Sequence, residues 1–452
     1  MSESLRVGLA GLGTVGASVA RALAAKADEL TAQCGRPIEL TAVCARNRDQ
    51  DRGVDLSQAQ WFDDPVALAR SNQIDVFVEL IGGEDGVALD GVATALEAGR
   101  HVVTANKALL AKHGVGLAGR AEKAGVILNF EAAVAGGIPI IKTMRESLSG
   151  NAVSRVYGIM NGTANYILTR MERDGISFAD CLADAQRLGY AEADPTFDIE
   201  GHDTAHKLAI LTSLAFGTQI AADDIYMEGI SNIALGDIEA ARELGYRIKL
   251  LGVAQRTPEG IEQRVHPTMV PLGSVIAQVE GVTNAVAVEA DIVGTLLMSG
   301  PGAGGDATAS AVIGDLADIA KSQPGRQQAP ALGRPADRLQ PYKRARMRAH
   351  EGGYFVRMTV HDRPGVFADI ARHMADQGIS LESIVQHGAA PHPVPMGPDN
   401  PYGEDEETPS PKTVILTTHE TTERAVRDAI AQIVEDGHLI SRPQVIRIER
   451  AG

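Results

Sequence analysis

Five carboxylates and a lysine fall within sixteen residues: Glu192, Asp194, Asp198, Glu200, Asp203 and Lys207. Asp203 and Lys207 are spaced i, i+4, so on a helix they share a face. A lysine beside carboxylates can transfer a proton or bind an amino-acid carboxylate, and the acids can bind an ammonium group. The same residues also suit a solvated acidic turn with a helix ion pair, and spacing alone favours that plainer reading. His202 and His206 repeat the i, i+4 spacing of a metal pair, but no third ligand accompanies them, so a zinc site is rejected. Lys107 stands apart in Thr104-Ala105-Asn106-Lys107. It follows a strand-like run, at the edge of the sheet where α/β sites lie.

Near the N-terminus, Gly11-Leu12-Gly13-Thr14-Val15-Gly16 reads G-x-G-x-x-G between a strand-like run and a helical one. In that context the glycines allow a tight turn, close approach of a pyrophosphate and close helix–strand packing. The helix start adds free amides and a positive dipole end. A bare glycine turn required by sterics is the alternative. The second strand ends Val43-Cys44-Ala45-Arg46. NAD sites usually place an acid there for the ribose hydroxyls. Arg46 instead suits a 2′-phosphate, so NADP is the expected cofactor, with Ala45 and Arg46 beside it. If Arg46 is only a solvated loop residue, both cofactors would bind.

These groups need elements to position them. Residues 1–145 alternate strand-like runs (Arg6–Gly11, Ile38–Ala45, Val76–Ile81, His101–Thr104, Val126–Glu131) with helical ones such as Ala17–Leu30 and Ala88–Ala98. That alternation predicts a parallel sheet with helices on both faces, an α/β dinucleotide-binding domain of Rossmann type. Residues 146–299 read as a mixed α+β domain, with a long helix over His202–Phe216. Residues 300–320 contain the Gly300–Gly305 cluster and a helical run, and are expected to complete the first domain. Residues 321–350 carry four prolines, eight Lys or Arg and one Asp, and read as a solvated linker. Residues 351–452 read as a separate βαββαβ block. It is interrupted at 388–411 by a stretch with seven prolines and five acids, expected to be disordered.

Composition narrows the function. The 452 residues suggest about three domains at roughly 150 each. With 42 Lys and Arg against 58 Asp and Glu, the formal charge is −16, which argues against a nucleic-acid partner. The longest apolar candidate, 126–144, is broken by Glu131 and Lys142, so no membrane span is expected. Three cysteines, with no C-x-x-C pair, fit reduced thiols in a cytoplasmic protein.

At the polar cluster the sequence resembles the homoserine dehydrogenase family, and the resemblance covers nearly the whole chain. Its carriers are Thr104-Ala-Asn-Lys107, Glu131-Ala-Ala-Val-Ala-Gly-Gly-Ile-Pro139, Asn161-Gly-Thr163 and, most specific, Gly189-Tyr-Ala-Glu-Ala-Asp-Pro-Thr-Phe-Asp198 through Asp203 to Lys207. The resemblance implies NAD(P)-dependent interconversion of L-homoserine and L-aspartate 4-semialdehyde, in threonine, isoleucine and methionine biosynthesis. It implies that Glu192 and Asp198 contact substrate, with Glu192 on its ammonium group. Lys207 becomes the proton donor and acceptor, with Asp203 beside it, and Lys107 a second lysine near nicotinamide and substrate. It further implies a sodium ion on backbone oxygens of Glu131, Val134, Gly136 and Ile138, and a return of Gly302 to the cofactor. A homodimer or homotetramer is expected. A lysine working near neutral pH needs burial or a nearby cation to lower its pKa, which the second lysine would supply.

Val360-His-Asp-Arg-Pro-Gly-Val-Phe367 and the βαββαβ order resemble an ACT domain. This implies an amino-acid effector, expected to be L-threonine, at the turn Asp362, Arg363, Pro364, Gly365 and Val366. Ser380, where many members have Asn, and the 388–411 stretch depart from the pattern. Read this way the block is separable: truncation after Ala349 should keep activity and lose the effector response. Two rivals remain, a non-catalytic dinucleotide and amino-acid sensor, and another amino-acid dehydrogenase with an effector domain. A semialdehyde dehydrogenase acting through a nucleophilic cysteine is disfavoured by the positions of Cys34, Cys44 and Cys181.

Overall fold

A computed structural model describes residues 3–322, 329–345, 351–389 and 411–449. Strands β1 (Leu5–Ala10), β2 (Ile38–Cys44), β3 (Gln60–Phe62), β4 (Val76–Glu79), β5 (His101–Thr104) and β6 (Leu128–Asn129) form one sheet. Its order is β3-β2-β1-β4-β5-β6, all parallel. The strands are near-continuous apolar runs because both faces are covered. Helices Thr14–Ala25 and Gly305–Lys321 pack through Val19, Leu23, Val312 and Leu316 on one face. Helices Pro65–Arg70, Val87–Glu97 and Lys107–Ala124 contribute Leu68, Leu96 and Leu110 to the core on the other. Residues 305–321 thus pack on the first sheet.

The second sheet contains β7 (Val153–Ile159), β8 (Tyr226–Met227), β9 (Tyr246–Arg256), β10 (Ile261–Pro271), β11 (Thr283–Ala290), β12 (Gly294–Pro301), β13 (Glu351–His361), β14 (Leu381–Ala389), β15 (Pro411–Thr418), β16 (Thr421–Thr422) and β17 (Gln444–Ile448). The path runs β12-β11-β7-β9-β10-β17-β13-β15-β14, with β8 on β10 and β16 on β13. The C-terminal block has the expected βαββαβ order, with helices Val366–Asp376 and Glu423–Glu435. It is not a detached unit, however, because β17 pairs in parallel with β10 (Thr268↔Arg447, Met269↔Ile448). One face of its sheet packs Tyr354, Val356 and Met358 under its own helices. The other places Phe355, Ile415, Ile446 and Ile448 in the core of the middle domain. The alternating pattern fixed which residues are buried, but not what buries the second face.

Several expectations are corrected. The helical run Ala17–Leu30 is two helices, Thr14–Ala25 and Ala27–Cys34, separated at Lys26 (φ −114°, ψ 19°). No Gly or Pro marks the break, so local propensity gave no sign of it. No strand is expected over 294–299, yet 294–301 form β12; its residues are half-exposed at a sheet edge, which erases the apolar signal. Residues 329–345 are not a free tether: Ala331, Leu332 and Leu339 are buried, and Gln340 exchanges backbone hydrogen bonds with Gly217 and Gln219 (3.0 and 2.8 Å). Of the stretch 388–411, the ends lie in β14 and β15, and residues 390–410 lie outside the described residues. No described helix is long and apolar enough to cross a membrane.

Candidate active site

Helix His202–Phe216 starts at Gly201, whose φ of 89° is left-handed and whose missing Cβ would sit 2.8 Å from Val265 in β10. Glycine there is required by both conformation and space. The first turn carries Asp203, and Lys207 lies one turn on. Lys207 Nζ donates to the Met160 carbonyl (2.6 Å) and to Asp203 Oδ2 (2.8 Å). Lys107 Nζ lies 3.1 Å from Asp203 Oδ1. Lys107 is the first residue of its helix, which Asn106 caps by accepting from Leu109 N–H (3.1 Å) while its amide donates to Gly83 O (2.7 Å). One carboxylate therefore joins two lysines from different domains. Burial alone would raise the pKa of Asp203, but the Lys207 and Lys107 ammonium groups hold it well below the usual carboxylate range. Asp203 and Lys207 are buried, whereas the Lys107 side chain is 33% exposed and marks the open side of the site.

The short helix Thr196–Ile199 brings Asp198 to the same cluster. Asn161 Nδ2 donates to Asp198 Oδ1 (2.8 Å) and Asp203 Oδ2 (2.9 Å), and its oxygen caps helix Gly162–Asp174 by accepting from Ala164 N–H (2.8 Å). Thr163 Oγ1 lies 3.1 Å from Asp198 Oδ2. Burial and then the Asp203 charge raise the Asp198 pKa, opposed by these two bonds. Sequence reasoning quoted Asn161-Gly-Thr163 but gave it no role; an Asn at a helix start signals a cap, not a second task. It also missed Phe197. This exposed ring lies 5.8 Å from Lys107 Nζ, stacks on His202 (6.0 Å) and meets His206 edge-on (5.5 Å). Burial first, and Lys107 second, lower the His206 pKa. Glu192, by contrast, is exposed in the preceding turn, and among the described residues it makes no ion pair.

In the glycine loop, a side chain at Gly11 (φ 100°) would collide with the Leu80 carbonyl, and one at Gly16 with the Gly11 carbonyl. A Cβ at Gly13 meets open space. The loop is thus tight behind and open in front, and helix Thr14–Ala25 has no side-chain cap on its amides. Leu12 is buried, Thr14 exposed and Val15 half-buried. These features fit a dinucleotide pyrophosphate. Ala45 is half-buried just past β2 and Arg46 is exposed next to it. Two further guanidinium groups were missed: Arg48 and Arg52 lie 5.7 and 5.5 Å from the Trp61 ring centre, and Arg52 Nε donates to Leu12 O (3.2 Å). Gly302 packs against Asn284 and against Gly136, and Gly305 comes within 2.7 Å of Ser18 Oγ if given a Cβ. Helix Gly305–Lys321 therefore starts against the first helix of the glycine loop.

The Glu131 carboxylate accepts from Ile141 and Lys142 N–H, both at 2.8 Å. Val134 lies in the one-turn helix Ala132–Ala135, Gly136 reverses the chain (φ 57°), and Ile138 N–H bonds back to Ala135 O (3.0 Å). Burial pushes the Cys44 and Cys181 thiols up to about 11 and raises Cys34 as well, so none is activated as a nucleophile. In the C-terminal block, Asp362, Arg363, Pro364 and Gly365 form an exposed turn, and Gly365 (φ 97°) precedes the helix that begins at Val366.

Family models match three parts of the chain: homoserine dehydrogenase over residues 139–317, the homoserine dehydrogenase NAD binding domain over 11–131, and the ACT domain over 354–396. The homoserine dehydrogenase of Pseudomonas aeruginosa is 45% identical over 453 residues, covering 99% of both chains. That of Neisseria gonorrhoeae is 44% identical over 433 residues, covering 95% of each. Among solved structures, a homoserine dehydrogenase from Thiobacillus denitrificans superposes with a TM-score of 0.90 at 43% identity, over 100% of this chain and 99% of the other. A hyperthermophilic archaeal homoserine dehydrogenase in complex with NADPH gives 0.58 at 26% identity, over 70% of this chain and 97% of the other.

Proposed function

The chain belongs to the homoserine dehydrogenase family, and on that premise we propose that it interconverts L-homoserine and L-aspartate 4-semialdehyde with NADP as its preferred carrier. The observation that carries the reading is Asp203 held between Lys207 and Lys107 at the meeting of the two domains. When bound, the nicotinamide supplies hydride exchange with the carbon bearing the substrate oxygen. The protein must bind the developing alkoxide and move one proton. Lys207 commits two of its three N–H donors to Met160 and Asp203, which leaves one donor in a fixed direction for that oxygen. Lys107, on the open side, has donors left for the same oxygen or the substrate carboxylate. Asp198 and Glu192 would receive the ammonium group. Oxidation of L-homoserine followed by nicotinamide absorbance tests the assignment; full activity on a different hydroxy amino acid, with none on homoserine, would refute it.

For the cofactor, the supporting features are Arg46 past β2, with no acid beside it, and Arg48 close by. Arg46→Asp should shift preference from NADP toward NAD by about 10- to 100-fold, the equivalent of one charge-assisted contact of ~1.5–3 kcal/mol. The ratio of kcat/KM for the two cofactors reads it out, and an unchanged ratio places Arg46 away from the 2′-phosphate. A sodium ion, if bound, would rest on main-chain oxygens of Glu131, Val134, Gly136 and Ile138. Their one-turn helix and reversal suit oxygen ligation of a hard cation, and the Glu131 side chain is already committed to backbone donors. It would serve to hold the 131–138 turn against Gly302. For regulation, the ACT domain supports an amino-acid effector, read here as L-threonine at 362–366, in a homodimer or homotetramer. An enzyme indifferent to millimolar threonine would refute that effector.

A further inference from the structure

The segment 226–231 touches both the C-terminal block and the substrate segment, and none of its residues carries the chemistry. Its first two residues, β8, pair in parallel with β10 (Arg264↔Tyr226, Val265↔Met227), and Glu228 N–H continues to Val265 O (2.8 Å). On one side its side chains meet the block. Arg427 donates to Tyr226 Oη (2.6 Å) and lies 3.4 Å from Glu228, which also bonds Tyr226. Arg447 of β17 sits 5.1 Å from the Tyr226 ring centre and 3.8 Å from Glu228 Oε2. On the other side its backbone meets the segment that carries Asp198 and leads into Asp203. Ile230 N–H donates to Ile199 O (2.9 Å) and Ser231 Oγ bonds the Glu200 carboxylate. Any side chain at Gly229 would collide with Ile199 and Glu200. At Gly229 and Ile230 the contact is therefore close to backbone against backbone, with one side-chain bond, Ser231 to Glu200, beside it. Gly201 packs on Val265, so helix His202–Phe216 starts on the same strand that β17 joins.

We propose that segment 226–231 positions the Asp198–Asp203 segment and makes that position depend on how the C-terminal block is seated, with Glu228 as the positioning residue that takes hold of the block. Displacement of helix Glu423–Glu435 or β17 would pull on Glu228 and Tyr226. Through Ile230 it would move Ile199, one residue from Asp198, while the glycine loop in the other sheet stays put. The device acts on the substrate side of the reaction, not the cofactor side. It rests on the reading of Asp198 as a substrate contact, and, for its effector arm alone, on the block as a regulatory domain.

The test is steady-state kinetics on full-length Glu228→Ala, Arg427→Ala and the double variant, with Glu228→Asp as the conservative control. Glu228 and Arg427 are 39% and 54% exposed at the side chain, so both variants should fold. Each single substitution should raise KM for homoserine by about 2- to 30-fold, with a smaller change in kcat and no change in KM for NADP. The double variant should be no worse than the worse single, since both cut one link, and Glu228→Asp should recover part of the loss. Homoserine KM within twofold of the parent in both singles, additive effects in the double, or equal rises for both substrates would each overturn the proposal. If the parent enzyme responds to threonine, the singles should also shift the half-inhibitory concentration. A parent that ignores threonine removes the effector reading alone, and the KM results still decide the positioning role.

Discussion

Replacing Lys207 by alanine should lower turnover by about 10²–10⁴-fold, the usual cost of losing a general acid, while NADP binds as before. The separation of the two effects follows from geometry. Lys207 is anchored in the second domain, to Met160 and Asp203, whereas the glycine loop lies in the first sheet between β1 and helix Thr14–Ala25. Removing the ammonium group also leaves Asp203 with Lys107 and Asn161 as partners, so the carboxylate is not stranded in the interior. Folding should therefore survive, and an unchanged far-ultraviolet spectrum with normal cofactor binding would establish that the loss is chemical. Turnover within tenfold of the parent would make Lys207 an ion-pair residue and shift the proton transfer to Lys107.

The second large effect concerns the C-terminal block. A chain ending at Ala349 should be markedly less stable, and its activity should fall with its fold. The pairing of β17 with β10 replaces the expectation of a separable block. Truncation removes Glu449, which bonds Arg264 Nη2 at 2.9 Å, and Arg264 is fully buried in β10. Glu262 stays 2.8 Å from Arg264, so the guanidinium keeps one carboxylate and this loss costs less than the ~3–5 kcal/mol of a buried charge left unpaired. It also removes Arg357 from Asp237, a fully buried carboxylate, a loss of the kind that costs about 3–5 kcal/mol, and uncovers the surface against which Phe355, Ile446 and Ile448 pack. The unfolding midpoint should fall by at least about 6 °C, taking ~2 °C per kcal/mol for a large chain. A truncated enzyme that melts with the parent and keeps its kinetics would show that the seam adds nothing, and that the block is a detachable sensor. If it is stable but has a raised KM for homoserine alone, the role of segment 226–231 stands without the stability cost.

The sequence by itself determined the chemistry that was available and much of the local framework. The glycine loop, the helix His202–Phe216 and the βαββαβ order follow from short-range rules: glycine where φ is positive or space is absent, apolar residues at the period of the element, turn residues between elements. Asp203 and Lys207 could be placed on one helix face because i, i+4 neighbours need no tertiary information. What the tertiary structure decided is everything that joins residues far apart in the chain. Lys107 reaches Asp203 across 96 positions, Asn161 bridges Asp198 and Asp203 while capping its own helix, and Phe197 lies beside the Lys107 ammonium. The fusion of β17 to β10 was equally invisible. A strand's alternation records which faces are buried, not which strand lies beside it, because backbone hydrogen bonds across a sheet edge carry no side-chain signature. The ion pairs along that seam look, in sequence, like ordinary surface charges. Only the fold buries Arg264 and Glu262 and gives them partners, since burial is a property of the assembled layers and not of the residue.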